Sequence, residues 1–469
     1  MLVPKTFLSG CQGWCKLASD SPVLRKRGRQ LGLVVLLIAA AVALVGLTAF
    51  NAEDTGFRIL ALGLFFICII KGAQEGYAFN PYYLFSLTPL SLLLYEYKFS
   101  TYYLDRLGSY VYSLALFNIA AFVVGLALIK HRPARAPLNG RELYEQALCY
   151  PLLVLGMLPV IYGIVQAPGV LLSGNFLGMS AYTSLMPMSS ILMFCRYPAL
   201  VLAFKSKRRG RVVAVLFCCV LALMLSFNKT NLTFLLFIIL FSVHKYYVKS
   251  YKSRKYFRIS CIAAVILLLS SVTFYDQIRS DFDSTEALVR TGSSGLPKFL
   301  MLPYMYLENS WTNLQYVIET QPTHTFGLWL IRPLLFYFRL DGAFSDAYVL
   351  SPASSYNTYT YIAIPWKDFG FAGSILVSFG LGLFVSTVYR KFRSSSSPFV
   401  TAAYALNAVA VLEMFFSNHF FYLVYPFTAC IIALLCEAYS NRLSRRMSEQ
   451  ETLRNGKFDI GLSRKDGHA

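Results

Sequence analysis

The feature that most constrains this chain is a series of apolar runs that recurs along nearly its whole length. Most runs have roughly 17 to 22 residues, enough for a helix to cross a hydrocarbon core about 30 Å thick. The chain is 56% hydrophobic and only 14% charged, whereas a typical soluble domain is about 25% charged. We therefore predict an all-α polytopic membrane protein with about twelve transmembrane helices. The predicted spans are roughly 31–50, 58–74, 81–97, 109–129, 147–167, 183–204, 211–227, 231–247, 258–275, 369–389, 398–416 and 419–438.

Basic residues set the predicted orientation of these spans. The formal net charge is +20, which taken alone would also fit a nucleic-acid-binding protein. The lysines and arginines, however, are concentrated in the short connections between alternate apolar runs, as in cytoplasmic loops of membrane proteins. We therefore predict a multi-pass protein of the lipid bilayer, with no nucleic-acid partner and with both termini in the cytoplasm. The predicted cytoplasmic ends are the segment 1–30 and the basic tail 439–469.

One long segment, residues 276–368, separates the predicted helices of 31–275 from those of 369–438. The odd number of spans before it places this loop on the outer side of the membrane. It is too rich in Tyr, Phe and Trp to be disordered, and loops of this length are usually functional. Its stretches "ENSWTNLQYVIETQ" and "THTFGLWLIRPLLFYFRL" predict short helices at the membrane surface with aromatic anchors. Pro333 is expected to break or to start the second helix.

Cationic side chains on the outer side are candidates for binding phosphate groups. Guanidinium groups bind phosphate oxygens through two parallel hydrogen bonds and stay charged. The alternative for the arginines is salt bridges to aspartates of the same loop, and the alternative for the lysine, in the tight turn "SFNKTNLTF", is snorkelling from a helix end. The candidates are Lys229, Arg279, Arg290, Arg332 and Arg339.

A carboxylate and a histidine lie close together near the outer end of the predicted span 398–416. Glu413 and His419 belong to the stretch "EMFFSNHFF". Apolar surroundings would favour a general base at this position, since burial raises the pKa of a carboxyl group. The alternative is a carboxylate at a helix end and an interfacial histidine with no chemical role.

Other catalytic and binding motifs are missing from the sequence. The tripeptide "DFG" at 368–370 has no Gly-rich loop, H-R-D motif or upstream lysine strand, so it is not a kinase signature. The chain has no P-loop, GxSxG or HExxH motif and no His/Cys cluster with metal-ligand spacing. We therefore expect neither a metal nor another cofactor, and no transport driven by ATP.

Three stretches carry a resemblance to a known family. They are "SFNKTN", "NTYTYIAIPWKDFGFAGSILVSFGLGLFVSTVYRKF" and "FFSNHFF", within roughly residues 225–425. Together with the many spans and the long outer loop, they make the chain similar to the oligosaccharide repeat-unit polymerases, the Wzy-type O-antigen polymerases. One departure is Lys229, because relatives commonly have arginine in this short turn. The matched positions are Asn357, Tyr359, Thr360, Asp368, Phe369, Gly370 and Gly373.

The resemblance implies a GT-C-like glycosyltransferase of the bacterial inner membrane. It would join oligosaccharide units carried on undecaprenyl diphosphate into a surface polysaccharide, on the periplasmic side and with a separate co-polymerase that sets chain length. The cations named above would stabilise the diphosphate, and Asp368, Glu413 or His419 would deprotonate the acceptor hydroxyl. The expected saccharide contacts are Asn357, Tyr359, Thr360 and Trp366.

Two other functions remain compatible with the sequence. An O-antigen ligase would use the same chemistry on a different acceptor. A flippase or transporter of the lipid-linked unit would place charged residues at mid-membrane depth, where Arg196 is the deepest candidate and snorkelling would explain its position.

Overall fold

A computed structural model describes the chain from residue 55 onward, in several segments. These are 55–95 without 76 and 78, 107–129, 146–172, 186–225 without 187, 229–248, scattered positions from 250 to 263, 298–337 with 340, 358–420 without 396 and 418, and scattered positions from 430 to 449. The first predicted span, 31–50, and most of 258–275 and 419–438 lie outside the described residues.

The described residues form helices and turns, with no strand among them, which confirms the all-helical class. The helices, numbered here in chain order, are α1 Thr55–Glu75, α2 Pro81–Phe85, α3 Leu87–Tyr95, α4 Ser109–Leu128, α5 Cys149–Gln166, α6 Pro168–Leu172, α7 Ser189–Ser206, α8 Arg209–Leu225, α9 Lys229–Tyr247, α10 Lys298–Thr320, α11 Leu328–Tyr337, α12 Ala363–Ser394 and α13 Pro398–Leu412, which a 3₁₀ turn, Glu413–Phe415, extends.

Within the described part, five helical segments are long and apolar enough to cross a membrane. They coincide with α1, α4, α5, α12 and the continuous segment formed by α13 and its 3₁₀ turn. Each falls at a predicted span, because a long apolar run leaves the helix as the one structure that satisfies its backbone in lipid.

Two predicted spans differ in detail from the observed helices. The run 81–97 forms two short helices, α2 and α3, because Pro89 has no N–H to donate to the carbonyl of Phe85, where α2 ends. The run 369–389 is part of the longer α12, which is interrupted at Gly370, where φ is 66° and ψ is −157°. A residue without a Cβ adopts this conformation at low cost.

Helices α4 and α12 pack with their backbones in close contact. A Cβ atom on Gly125 would collide with the carbonyl oxygen of Phe379, and one on Gly382 would collide with that of Phe122. Small residues of this kind permit close approach of helices in membranes. This contact fixes α12, and therefore the segment that leads into it, against the rest of the bundle.

Polar side chains add a ladder of hydrogen bonds along the same α4–α12 contact. The Asn118 amide donates to Ser374 Oγ at 3.1 Å, and Ser378 Oγ donates to Asn118 Oδ1 at 2.6 Å. About two turns further along, Ser386 Oγ donates to the carbonyl of Leu126 at 2.9 Å. All four side chains are buried, so the ladder defines the register of the two helices.

The two helices predicted within 276–368 exist, but their tryptophans are not interfacial anchors. Trp311 of α10 is fully buried and donates from Nε1 to Ser91 Oγ of α3 at 3.0 Å. Trp329 of α11 is also buried. Pro333 lies inside α11 and neither breaks nor starts it. The sequence pattern could not reveal these differences because a buried and an interfacial Trp look alike in one dimension.

Arg196 does not snorkel. It lies in the middle of α7 with its side chain buried, and its guanidinium carbon is 5.2 Å from the ring centroid of Tyr197. A Cβ atom on Gly156 of α5 would lie 2.6 Å from the Arg196 backbone nitrogen, so the two helices are in close contact here.

Candidate functional site

The end of the long loop and the end of the penultimate predicted span are held together by backbone hydrogen bonds. The N–H of Tyr359 donates to the carbonyl of Phe416 at 3.1 Å, and the N–H of Tyr361 donates to that of Met414 at 2.9 Å. These bonds align two stretches that the sequence analysis singled out separately. We call residues 358–361, 413–417 and 419, together with the side chains that contact them, the polar junction.

Glu413 and His419 form a buried pair in the polar junction. Glu413 Oε2 and His419 Nε2 are in direct contact. The 3₁₀ turn at the end of α13 positions Glu413, and the short segment after this turn brings the histidine back over it. The rings of Phe234 and Phe416 lie edge-on to the His419 ring, with centroids 6.4 and 6.3 Å away. Water has little access to this pair, since both residues are buried.

Several polar atoms of the junction lack a partner within the described part of the chain. They are His419 Nδ1 and the hydroxyl oxygens of Thr358 and Thr360. Thr360 is fully buried and His419 almost so. A buried polar group without a hydrogen bond is costly, and such groups in a native site are candidates for contacts with a bound polar molecule.

Helix α10 closes another side of the junction. Ser310 Oγ donates to the carbonyl of Phe415 at 2.8 Å, and the Asn313 amide donates to the carbonyl of Thr358 at 2.7 Å. Neither Ser310 nor Asn313 is among the predicted site residues. The signal was present in "NSWTN", where Ser310 and Asn313 are three positions apart and therefore share a helix face.

Helix α9 brings Lys229 towards the same end of the bundle. Lys229 is the first residue of this helix, and Phe234, which contacts the His419 ring, follows five positions later. At about 1.5 Å per residue, the backbone of Lys229 is about 7.5 Å along the helix axis from that of Phe234. The predicted cation therefore belongs to the helix end nearest the Glu413–His419 pair.

Asp368, one of the predicted general bases, has a structural role at the start of α11. Its carboxylate accepts hydrogen bonds from Thr325 Oγ1 at 2.5 Å, Trp329 N at 3.1 Å and Leu330 N at 2.8 Å. The last two groups are backbone N–H donors in the first turn of α11, so the buried Asp368 caps that helix. A carboxylate engaged in this way stabilises structure, and its role as a general base stays a prediction.

Trp366 is not exposed as a flat surface for a sugar. Its side chain is buried, its Nε1 donates to Tyr110 OH at 3.2 Å, and the ring of His324 lies edge-on to it at 5.4 Å. The half-buried Tyr359 remains the predicted aromatic saccharide contact within the junction.

The other predicted site residues are only partly placed. Arg332 lies on α11, and its guanidinium carbon is 4.9 Å from the ring centroid of Trp329. The remaining four predicted residues are Arg279, Arg290, Arg339 and Asn357, which lie outside the described residues.

Two further observations bear on the identity of the site. Within the described part of the chain, no group of three or more His, Cys, Asp or Glu side chains is arranged to hold a metal ion. Comparisons with protein-family models, with curated proteins and with solved structures return no match. A function is therefore inferred below from the chemistry of the polar junction and from the residues that resemble those of the oligosaccharide repeat-unit polymerases.

Proposed function

We propose that this protein is an inner-membrane polymerase that joins oligosaccharide units carried on undecaprenyl diphosphate into a surface polysaccharide. The observation that carries the proposal is the buried Glu413–His419 pair on a segment whose backbone is bonded to the segment that contains Thr358 and Thr360. It combines an oriented imidazole with buried hydroxyl groups that lack a described partner. A base and hydroxyl contacts are what transfer of a sugar to a sugar hydroxyl requires.

The His419 ring suits general-base catalysis because its two nitrogens have different surroundings: Nε2 contacts Glu413, and Nδ1 does not. An ionised Glu413 accepts a hydrogen bond, so it favours the tautomer with the proton on His419 Nε2. Nδ1 then presents its lone pair, and this nitrogen has no described partner. Glu413 would also stabilise the imidazolium that forms when Nδ1 takes a proton, as the carboxylate does in other carboxylate–histidine pairs.

The proposed step balances without a nucleotide. The hydroxyl of the acceptor unit attacks the anomeric carbon of the growing chain while Nδ1 takes the hydroxyl proton. The bond from this carbon to the lipid diphosphate breaks, and its electron pair leaves with the diphosphate. Lys229, together with the predicted arginines, would stabilise the charge that develops on this leaving group.

The finer architecture belongs to the same proposal. We propose about twelve spans, a GT-C-like arrangement, cytoplasmic termini and a periplasmic loop at 276–368. The placement of α10 supports a functional loop, because its Ser310 and Asn313 reach the junction directly. A chain-length-regulating co-polymerase is the expected protein partner.

A transporter of the lipid-linked unit is the second candidate, and the buried Arg196 is the observation that favours it. Ionisable groups inside a membrane protein often mark a transport path. We favour a glycosyltransferase because the polar junction is assembled from the outer loop and two predicted spans. Arg196 lies on a different helix, α7, and is not part of the junction.

A gel of surface polysaccharide tests the proposal. We expect cells without this protein to carry a single repeat unit on the final lipid anchor, and wild-type protein to restore a ladder of longer chains. A deletion strain that accumulates long polymer on the carrier lipid would instead indicate a ligase. Loss of all units from the outer side would indicate a transporter, and both of these results would contradict the polymerase.

A further inference from the structure

The turn between α10 and α11 contains a highly exposed aromatic residue, Phe326. The Phe326 side chain is 84% exposed, although Phe is strongly hydrophobic. Its backbone has φ 50°, and that of the following Gly327 has φ 92°. A positive φ is unfavourable for a bulky residue. Contacts with the surrounding structure must therefore stabilise this backbone conformation of Phe326.

The turn is held by the segment that opens α12. The N–H of Thr325 donates to the carbonyl of Lys367 at 2.9 Å, and the N–H of Phe326 donates to that of Asp368 at 3.0 Å. Asp368 also caps α11 with its side chain. The position of Phe326 is thus fixed relative to α12.

Exposed apolar side chains continue on both sides of Phe326. Leu330 and Ile331 are exposed on the first turn of α11, and Phe369 is exposed at the break in α12. The ring of Phe369 lies beside the turn, since a Cβ atom on Gly327 would be 3.1 Å from its Cζ atom. We call Phe326, Leu330, Ile331 and Phe369 the apolar wedge.

The wedge is continuous with the surface of a helix long and apolar enough to cross a membrane. Phe369 directly precedes Gly370, after which α12 runs unbroken to Ser394. Leu376, less than two turns after Gly370, is itself highly exposed. An apolar surface on a spanning helix faces lipid, so the adjoining wedge lies at the same boundary.

We propose that the apolar wedge inserts into the bilayer, at the leaflet where α12 begins, and anchors α11 to the membrane surface. The occupant of this surface is lipid hydrocarbon, because the wedge continues a lipid-facing helix and its exposed members are all apolar. The inference rests on geometry alone and does not depend on the proposed polymerase activity.

Fluorescence quenching by brominated lipids in nanodiscs tests the wedge. The full-length Phe326→Trp variant is compared with Thr320→Trp, a matched variant at an exposed polar position at the end of α10. The native tryptophans contribute equally to both and are subtracted with the wild type. We expect about twofold or more stronger quenching of the added Trp at 326 than at 320. Equal quenching at the two positions would overturn the proposal.

A second measurement needs no substitution. Hydroxyl-radical labelling of the wild type in nanodiscs, read by mass spectrometry, should leave Phe326 as protected as Leu376 and far less labelled than the exposed His324. Labelling of Phe326 at the level of a solvent-exposed side chain would overturn the proposal. So would protection that rises with protein concentration at constant lipid, since that result would assign the wedge to contacts with a second copy.

Discussion

Replacing His419 with glutamine is expected to reduce chain extension by about 10² to 10⁴-fold while the protein still reaches the membrane in normal amounts. The glutamine amide can donate to Glu413, so the buried carboxylate keeps a partner. It cannot take a proton as Nδ1 does. The measurement is the length distribution of surface polysaccharide in a deletion strain that expresses the variant, normalised to the amount of protein in the membrane.

Two comparisons make this result specific. His419→Ala is expected to lower membrane abundance as well, because it leaves Glu413 buried without its partner. His324→Ala, at an exposed histidine outside the polar junction, should leave the ladder unchanged. A wild-type ladder from His419→Gln at normal abundance would contradict a proton-accepting role for this residue.

Replacing Asp368 with alanine is expected to destabilise the protein by about 3 kcal/mol, because three donors lose their acceptor in a buried position. The N-terminus of α11 would lose its cap and Thr325 Oγ1 would lose its bond to the carboxylate, whereas the backbone bonds of the turn to the carbonyls of Lys367 and Asp368 would remain. Thermal unfolding in detergent, followed by loss of resistance to proteolysis, measures the change.

Asp368→Asn separates a capping role from a catalytic one. Asparagine is as good an N-cap as aspartate, and its one oxygen can replace part of the carboxylate's bonding. We expect the variant to lose less stability than Asp368→Ala and to keep most of its polymerising activity. Loss of activity at near-normal stability would instead support Asp368 as the general base.

The positions of the long helices follow from the sequence because each depends on the length and hydropathy of its own segment. Helices α1 and α4 lie almost where the apolar runs of 58–74 and 109–129 predict them. The split of 81–97 at Ser86 was harder to foresee, since it depends on how Pro89 is accommodated within an otherwise continuous apolar run.

The candidate site could be predicted only in part, because its contacts join distant residues. Glu413 and His419 are six positions apart, so their pairing was within reach of sequence reasoning. The bond from Ser310 to Phe415 spans 105 positions, and no local pattern indicates it. The capping role of Asp368 could not be predicted for the same reason: its hydrogen-bond donors are about forty residues earlier, and a lone carboxylate in a polar stretch looks equally like a base and a cap.

Reconstitution from purified components tests the proposed polymerase activity without other proteins of the cell. Lipid-linked repeat units would be extracted from the deletion strain and mixed with the purified protein in nanodiscs, with no nucleotide sugar added. We expect wild-type protein to convert the units into a ladder of chains with release of the lipid diphosphate. We expect His419→Gln to do so at least about 10²-fold more slowly. Single units that stay unchanged in the presence of folded wild-type protein would contradict the proposed activity.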